Sequence, residues 1–409
     1  MAKILIISPV ATHPQDAGHK SRIYSIAENL RQHKHEVAIL VVSEINDAES
    51  AAMSNYWGNS LYQYIPYNFE SFSFFQKASI KLKYFLFNSL KKKQKAEYDK
   101  TYTEEQNKHN HLIDDSYCFG LSVYLKQLQA KEAFDVVITE YVALSLALES
   151  FDHKVLKVLD THDVFTDRYK MYLERNLPYD WWSFFRGEEA KGLNRADIIF
   201  AIQNQEKQQL QQITQKPVKL LGHIVPAKKL PAHGFGKIIV FVGVNNSVNV
   251  QGINHFIKEI LPHIKASHPD VRLLLAGNIV KAKDEVLHDT NVEFTGIYNE
   301  SHEPYLLADI VINPVIIGTG LKIKTIEAIS FGLPLISFQS GVDGLPESDA
   351  HPYFIKCNSD AEFVSSLLEV MSDAGRRKQL SENARRFISQ YNEEAASDLL
   401  DAVNKHMQK

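Results

Sequence analysis

The stretch from Ile310 to Phe338 constrains the fold more than any other part of this chain. Its first apolar run, Ile310 to Ile312, does not alternate with polar residues and reads as a strand buried on both faces. Gly318-Thr319-Gly320 makes a turn, and Ile323, Ile326 and Ile329 then recur at a helical spacing. Gly332 and Pro334 stop the helix, and Leu335 to Phe338 reads as the next strand. Strand, loop, helix and strand in this order call for parallel pairing. The loop then lies at the carboxyl end of the sheet, where open α/β sheets bind ligands.

That loop and helix carry chemistry of their own. Free N–H groups at a helix start suit an anion, and glycines let a phosphate come close. Lys322 and Lys324 add positive charge, and Glu327 lies one turn into the helix. An ionised carboxylate only accepts hydrogen bonds, so it suits a pair of sugar hydroxyls. Together these groups point to a nucleotide or nucleotide-sugar. The alternative is a glycine turn before an ordinary helix with solvated lysines.

The run Gly318-Thr-Gly-Leu-Lys-Ile-Lys-Thr-Ile-Glu-Ala328, followed by Gly332-Leu-Pro334, resembles the donor-site signature of family-4-type glycosyltransferases with the GT-B fold. Many members carry two glutamates eight positions apart; Glu327 matches the second, and the first falls at Thr319, which has no carboxylate. The resemblance implies an α/β chain of two Rossmann-like lobes facing each other across a cleft. The first lobe would bind an acceptor, a glycan or lipid-linked glycan. The second would bind a nucleotide-diphosphate sugar, transferred with retention. No cofactor beyond that co-substrate is expected. No Asp-x-Asp tripeptide occurs, so no metal bridging the diphosphate is expected either.

Bulk properties agree with an enzyme of this kind. A chain of 409 residues calls for two domains. With 44% hydrophobic and 23% charged residues it is an ordinary globular composition, and a net charge of −4 speaks against a nucleic-acid binder. Cys118 and Cys357 are the two cysteines, too few for a disulfide framework or a metal pattern, which fits a reducing cytosol. Met1 leads straight into a short apolar run, with no signal-peptide pattern, and no segment is apolar enough to span a bilayer. A cytoplasmic protein is expected, with peripheral contact at the inner membrane face as an open option.

Read in order, residues 1–227 form the acceptor lobe, with an insertion at 47–130, residues 228–391 the donor lobe, and 392–409 a last helix that can cross back to the first lobe. Strands are expected at Ile4–Ile7, Val37–Val42, Val136–Thr139, Val155–Leu159 and Asp197–Ile202, and near Val218. After a linker marked by Pro226, Pro231, Gly234 and Gly236, the βα pattern restarts at Ile238. Residues 141–149 read as helical, and everything past Cys357 reads as helix. The opening βαβ lacks G-x-G-x-x-G, so nicotinamide or flavin binding is not expected.

The stretch Ser71 to Ala96 holds seven lysines and no acid, interleaved with Phe72, Phe74, Phe75, Tyr84, Phe85 and Phe87. Such a helix can lie on an anionic membrane surface. Equally, it can be an insertion whose aromatics pack inside and whose lysines face water.

The resemblance supplies the remaining site residues. His162, at the end of a strand, would face the transferred sugar and act with Lys322 and Lys324 in catalysis. Gly18 would sit at the donor, and Arg22 at the acceptor. The loop Phe241 to Gly252 would close over the diphosphate. Relatives carry an arginine and a lysine there; this chain has Asn245, Asn246 and Ser247, leaving charge neutralisation to Lys322, Lys324 and helix N-termini. Donor contacts would then come from Gly18, Asn245, Asn246, Gly318, Thr319, Gly320 and Glu327. Two rivals stand beside glycosyl transfer: a nucleotide-sugar epimerase of the same fold, and a non-enzymatic two-lobed sugar-binding protein.

Overall fold

The structure, a computed structural model, describes residues 1–178, 182–225, 236–298, 300, 302–317 and 321–408. Its first lobe runs β1 (Lys3–Ser8), α1 (Gly18–Gln32), β2 (Glu36–Val41), α2 (Asp47–Trp57), β3 (Leu61–Gln63), α3 (Phe74–Thr101), α4 (Glu104–His109), α5 (Phe119–Glu132) and β4 (Val136–Glu140). It continues through β5 (Leu156–Asp160), α6 (Tyr169–Leu173), α7 (Arg186–Leu193), β6 (Ile198–Ala201), α8 (Asn204–Gln211) and β7 (Val218–Leu220). The strands pair in parallel in the order β3-β2-β1-β4-β5-β6-β7. Both faces of β1 are buried, Leu5 and Ile7 in one cluster and Ile4 and Ile6 in another, which is why its sequence does not alternate.

The second lobe follows with β8 (Ile238–Val242), α9 (Ser247–His255), α10 (Leu261–Ser267), β9 (Arg272–Ala276), β10 (Val292–Gly296), β11 (Ile310–Asn313), α11 (Ile323–Ser330), β12 (Leu335–Phe338), α12 (Gln339–Val342) and β13 (Ile355–Cys357). Its strands are also parallel, in the order β10-β9-β8-β11-β12-β13. Helices α13 (Asp360–Ser372), α14 (Ala374–Ala395) and α15 (Ser397–Met407) end the chain. Leu399 and Val403 of α15 sit in the same core as Ile4, Ile6 and Leu221, so the chain does return to the first lobe. The crossing is pinned where Asn392 bonds both the N–H and the C=O of Val225, and where the Tyr391 hydroxyl accepts from His223 N–H at 2.9 Å.

In each sheet the strand order reverses once, between β1 and β4 and between β8 and β11. These two switch points open crevices at the carboxyl ends of the strands.

The structure adds detail to two of these readings. Residues 142–150 are helical, as 3₁₀ turns, after Tyr141 at φ 64. The insertion at 47–130 is regular, dominated by the 28 residues of α3. Its pattern is hard to read because α3 is apolar on two faces. Ile80, Tyr84, Phe87, Lys91, Gln94 and Tyr98, at helical spacing, face the lobe. Ile80 is buried, Tyr84 and Phe87 meet Phe119, Lys91 pairs with Asp115 at 2.8 Å, and Tyr98 donates to Glu188 at 2.9 Å. The linker stretch 226–235 lies outside the described residues. Both cysteines are free and buried, and no helix among the described residues is long and apolar enough to cross a membrane.

Candidate active site

The chain leaves β1 through a loop that ends at Gly18, the first residue of α1. Opposite it, the chain leaves β11 and enters α11 at Ile323. The two helix starts touch: a Cβ on Gly18 would lie 2.7 Å from the Ile323 Cβ. Only a residue without a side chain allows the lobes this approach.

Between them is a cleft of about 210 Å³. The first lobe contributes Asp16, Gly18, Arg168 and Tyr172, and the second contributes Asn246, Asn249, Tyr298, Lys322, Lys324 and Glu327. Two helix N-termini of the second lobe open on it. Asn246 caps α9, accepting from Asn249 N–H at 2.8 Å. Lys322 stands at the N-cap of α11 and supplies no side-chain cap. Helix starts with cations beside them make an anion site.

Lys324 is held in place. Its ammonium donates to Asn249 Oδ1 at 2.7 Å and lies 4.3 Å from the centre of the Phe241 ring. Burial lowers its pKa well below the usual lysine value, and Lys322 nearby lowers it further. Lys322 is also lowered by burial, against the opposing pull of Asp163 and Glu206. An incoming phosphate would favour the charged form of both.

Glu327 is the buried acid of the cleft. It accepts from the Ser21 hydroxyl of the first lobe at 2.9 Å and lies 3.4 Å from the Tyr305 hydroxyl. Burial raises its pKa to about 7, and the two hydroxyl bonds only partly oppose this.

His162 is not on this wall. It follows β5 at φ 61, beside Tyr141, which follows β4 at φ 64. The two rings stack at 4.1 Å, and the His162 Nε2 lies 2.6 Å from Glu140 Oε2. Two neighbouring non-glycine residues at positive φ are strained, as is common near functional sites. The imidazole is almost wholly buried, its pKa lowered to about 4 by burial and by Arg22, so it is neutral at physiological pH. The residue from this strand end that does line the cleft is Arg168, whose guanidinium pairs with Asp163 at 2.9 Å.

Arg22 needs correction as an acceptor ligand. It is 1% exposed, and its guanidinium bonds both Asp160 oxygens, at 2.9 and 2.7 Å, and the carbonyls of Gly222 and Leu221. With four acceptors around it and no exposed face, it ties α1 to β5 and to the end of β7. Burial alone would raise the Asp160 pKa; Arg22 more than offsets that and holds it low. Glu140, beside Asp160, is pushed well up by burial. Glu140, Asp160 and His162 lie close enough to share a cation. The Arg22 guanidinium already occupies both Asp160 oxygens, so this donor set does not suit a metal.

The structure therefore brings together Gly18, Asn246, Lys322, Lys324 and Glu327. Asn246 lines the cleft, but its side-chain oxygen is engaged in capping; Asn245 is exposed and off the wall. Gly318, Thr319 and Gly320 lie outside the described residues. Asp16, Ser21, Arg168, Tyr298 and Tyr305 went unread in the sequence. They converge from separate parts of the chain, and no local spacing marks them.

Comparison with known proteins bears on the fold and on the second lobe. Residues 236–373 match the family described as "Glycosyl transferases group 1". An uncharacterized 44.6 kDa protein in the cps region of Klebsiella pneumoniae is 24% identical over 290 residues, 65% of this chain and 73% of that protein. Among solved structures, the sucrose-phosphate synthase of Thermosynechococcus elongatus superposes with a TM-score of 0.65 at 14% identity, covering 99% of each chain. Anabaena HepE, solved with UDP and glucose, gives 0.64 at 12% identity over 98% of this chain and 99% of that one. TarM gives 0.67 at 11% identity over 99% of each chain. The chain has the GT-B fold, and its second lobe carries the group 1 glycosyl transferase match.

Proposed function

We propose that this GT-B chain is a glycosyltransferase that moves a sugar, a hexose in the simplest case, from a nucleotide-diphosphate sugar to a glycan or lipid-linked glycan, with retention at the anomeric carbon. The observation that carries the reading is one juxtaposition. Glu327, an acid already holding two hydroxyls, stands one turn beyond a helix start flanked by Lys322 and Lys324.

In this reading the Glu327 carboxylate takes the ribose hydroxyls of the donor. The diphosphate sits at the starts of α9 and α11, with Lys322 and Lys324 on one side and Arg168 reaching from the other lobe. As the glycosidic bond to phosphate breaks, charge grows on the departing diphosphate. Fixed dipoles and lysines in a closed cleft stabilise that charge without reorganising. Lysines already arranged for the anion favour the transition state more than the ground state. Gly18 lines the cleft where its missing side chain lets the start of α1 meet Ile323. His162, buried behind the wall, is a positioning residue that sets the end of β5 and with it Asp163 and Arg168.

Ligand pockets usually span roughly 300–1,000 Å³. The cleft of about 210 Å³ is smaller, so a donor requires the lobes to part and close again around it. HepE has been solved in complex with UDP-glucose, which makes that compound the first donor to try.

The test is calorimetric titration of UDP-sugars into the parent protein and into Glu327→Ala. Loss of a charged acceptor for buried hydroxyls costs about 1.5–3 kcal/mol, or roughly 10- to 150-fold in Kd. Equal binding by both proteins rejects the ribose assignment. Donor incubated without acceptor separates the rivals: an epimerised nucleotide-sugar favours the epimerase, and binding of free sugar without nucleotide favours the binding protein.

A further inference from the structure

Helix α3 packs on the first lobe along one face and presents a second apolar face to solvent. Phe74, Phe75, Leu82, Phe85, Leu86 and Leu90 are 80, 84, 58, 67, 52 and 66% exposed. At about 100° per residue, the first five fall in one stripe roughly a third of the helix circumference wide, opposite the packed face of Ile80, Tyr84 and Phe87. Contiguous exposed apolar surface of this kind marks a contact site.

The charges around the stripe say what covers it. Residues 71–96 hold seven lysines and no acid, within a chain of net charge −4. Lys77, Lys81 and Lys92 flank one side of the stripe and Lys83 the other, by the same helical spacing, and Lys93 extends it. Ammonium groups on long stems beside an apolar stripe can reach anionic headgroups while the rings lie deeper. A second copy of the chain does not fit. A two-fold interface through this face would set lysines against lysines.

We infer that the free face of α3 docks the first lobe on an anionic lipid bilayer, with Phe74, Phe75 and Phe85 at headgroup depth and the flanking lysines on the lipid phosphates. A helix of 28 residues spans about 42 Å and lies along the surface. The inference does not depend on glycosyl transfer. If transfer is also established, it brings the enzyme to the surface that holds lipid-linked acceptors.

The experiment is co-sedimentation of the full chain with phosphatidylcholine vesicles, with and without phosphatidylglycerol. Binding is expected to the anionic vesicles at low salt and to weaken at high salt, since the lysine attraction is screened. Each of Lys77→Gln, Lys81→Gln and Lys92→Gln should weaken it about five-fold. Phe85→Trp tests contact directly: brominated lipid should quench it beyond the parent protein, and a bulky aromatic at an exposed site leaves the fold intact. No binding to anionic vesicles at low salt overturns the inference. So does a dimer that Phe85→Ser converts to monomer, or quenching no greater in Phe85→Trp than in the parent.

Discussion

The hydroxyl of Ser21, on α1 of the first lobe, donates a hydrogen bond to the carboxylate of Glu327, on α11 of the second, at 2.9 Å. With the Gly18–Ile323 contact and the Asn278 amide donating to Asp16 at 3.2 Å, it ties the two lobes across the cleft. A protein hydroxyl thus stands where the donor ribose is proposed to bind. Removing it as Ser21→Ala should remove a competitor. An ordinary hydrogen bond contributes about 0.5–1.5 kcal/mol, so donor Kd should fall roughly 2- to 10-fold in calorimetry. Weaker donor binding by the variant would mean that Ser21 assists the donor.

Glu327 makes donor binding and stability depend on pH in different ways. Its folded pKa of about 7 lies above the unfolded carboxyl value. Between those values the folded state holds the extra proton, so stability falls as pH rises toward 7 and levels above it. Glu327→Gln should therefore be more stable than the parent at pH 8, by up to roughly 3 kcal/mol, and similar to it near pH 4. Melting curves across pH check this. Donor affinity should instead fall as pH drops through about 7, because the protonated acid accepts fewer hydroxyls. That acid limb should vanish in Glu327→Gln.

The lysines should act mainly on the leaving group. Burial lowers both Lys322 and Lys324, and a bound diphosphate would raise them again. Lys322→Met or Lys324→Met should lower turnover more than donor affinity, by at least 10-fold in kcat for one of them. Unchanged kcat in both variants would return these lysines to a structural role.

Arg22 should matter for folding, not for acceptor affinity. Arg22→Met leaves Asp160 buried without its partner, which costs about 3–5 kcal/mol. Differential scanning calorimetry should show a large fall in Tm. Lysine cannot replace it, since one ammonium cannot match a bidentate guanidinium. A stable variant whose only defect is a raised acceptor KM would restore the acceptor role.

Turnover should persist in EDTA. The acid cluster at Glu140 and Asp160 already holds a guanidinium, and the proposed leaving-group charge is met by lysines. Complete loss, restored by magnesium or manganese, would overturn the proposed mechanism.

The periodicity of the chain determined its two parallel sheets. Strands such as Ile4–Ile7 and Ile310–Ile312 are buried on both faces, so their continuous apolar runs are visible locally. Lys322, Lys324 and Glu327 were legible for the same reason: they follow one strand on one short helix. Ser21, Asp16 and Arg168 belong to the other lobe, and their meeting with Glu327 and Lys322 depends on how two sheets approach. That approach is fixed by contacts hundreds of residues apart, which leave no spacing to read. The same holds for Arg22, whose burial against Asp160, 138 positions away, decided that it braces the fold. It holds also for α3, where only packing on Phe119 revealed which of its two apolar faces is left free.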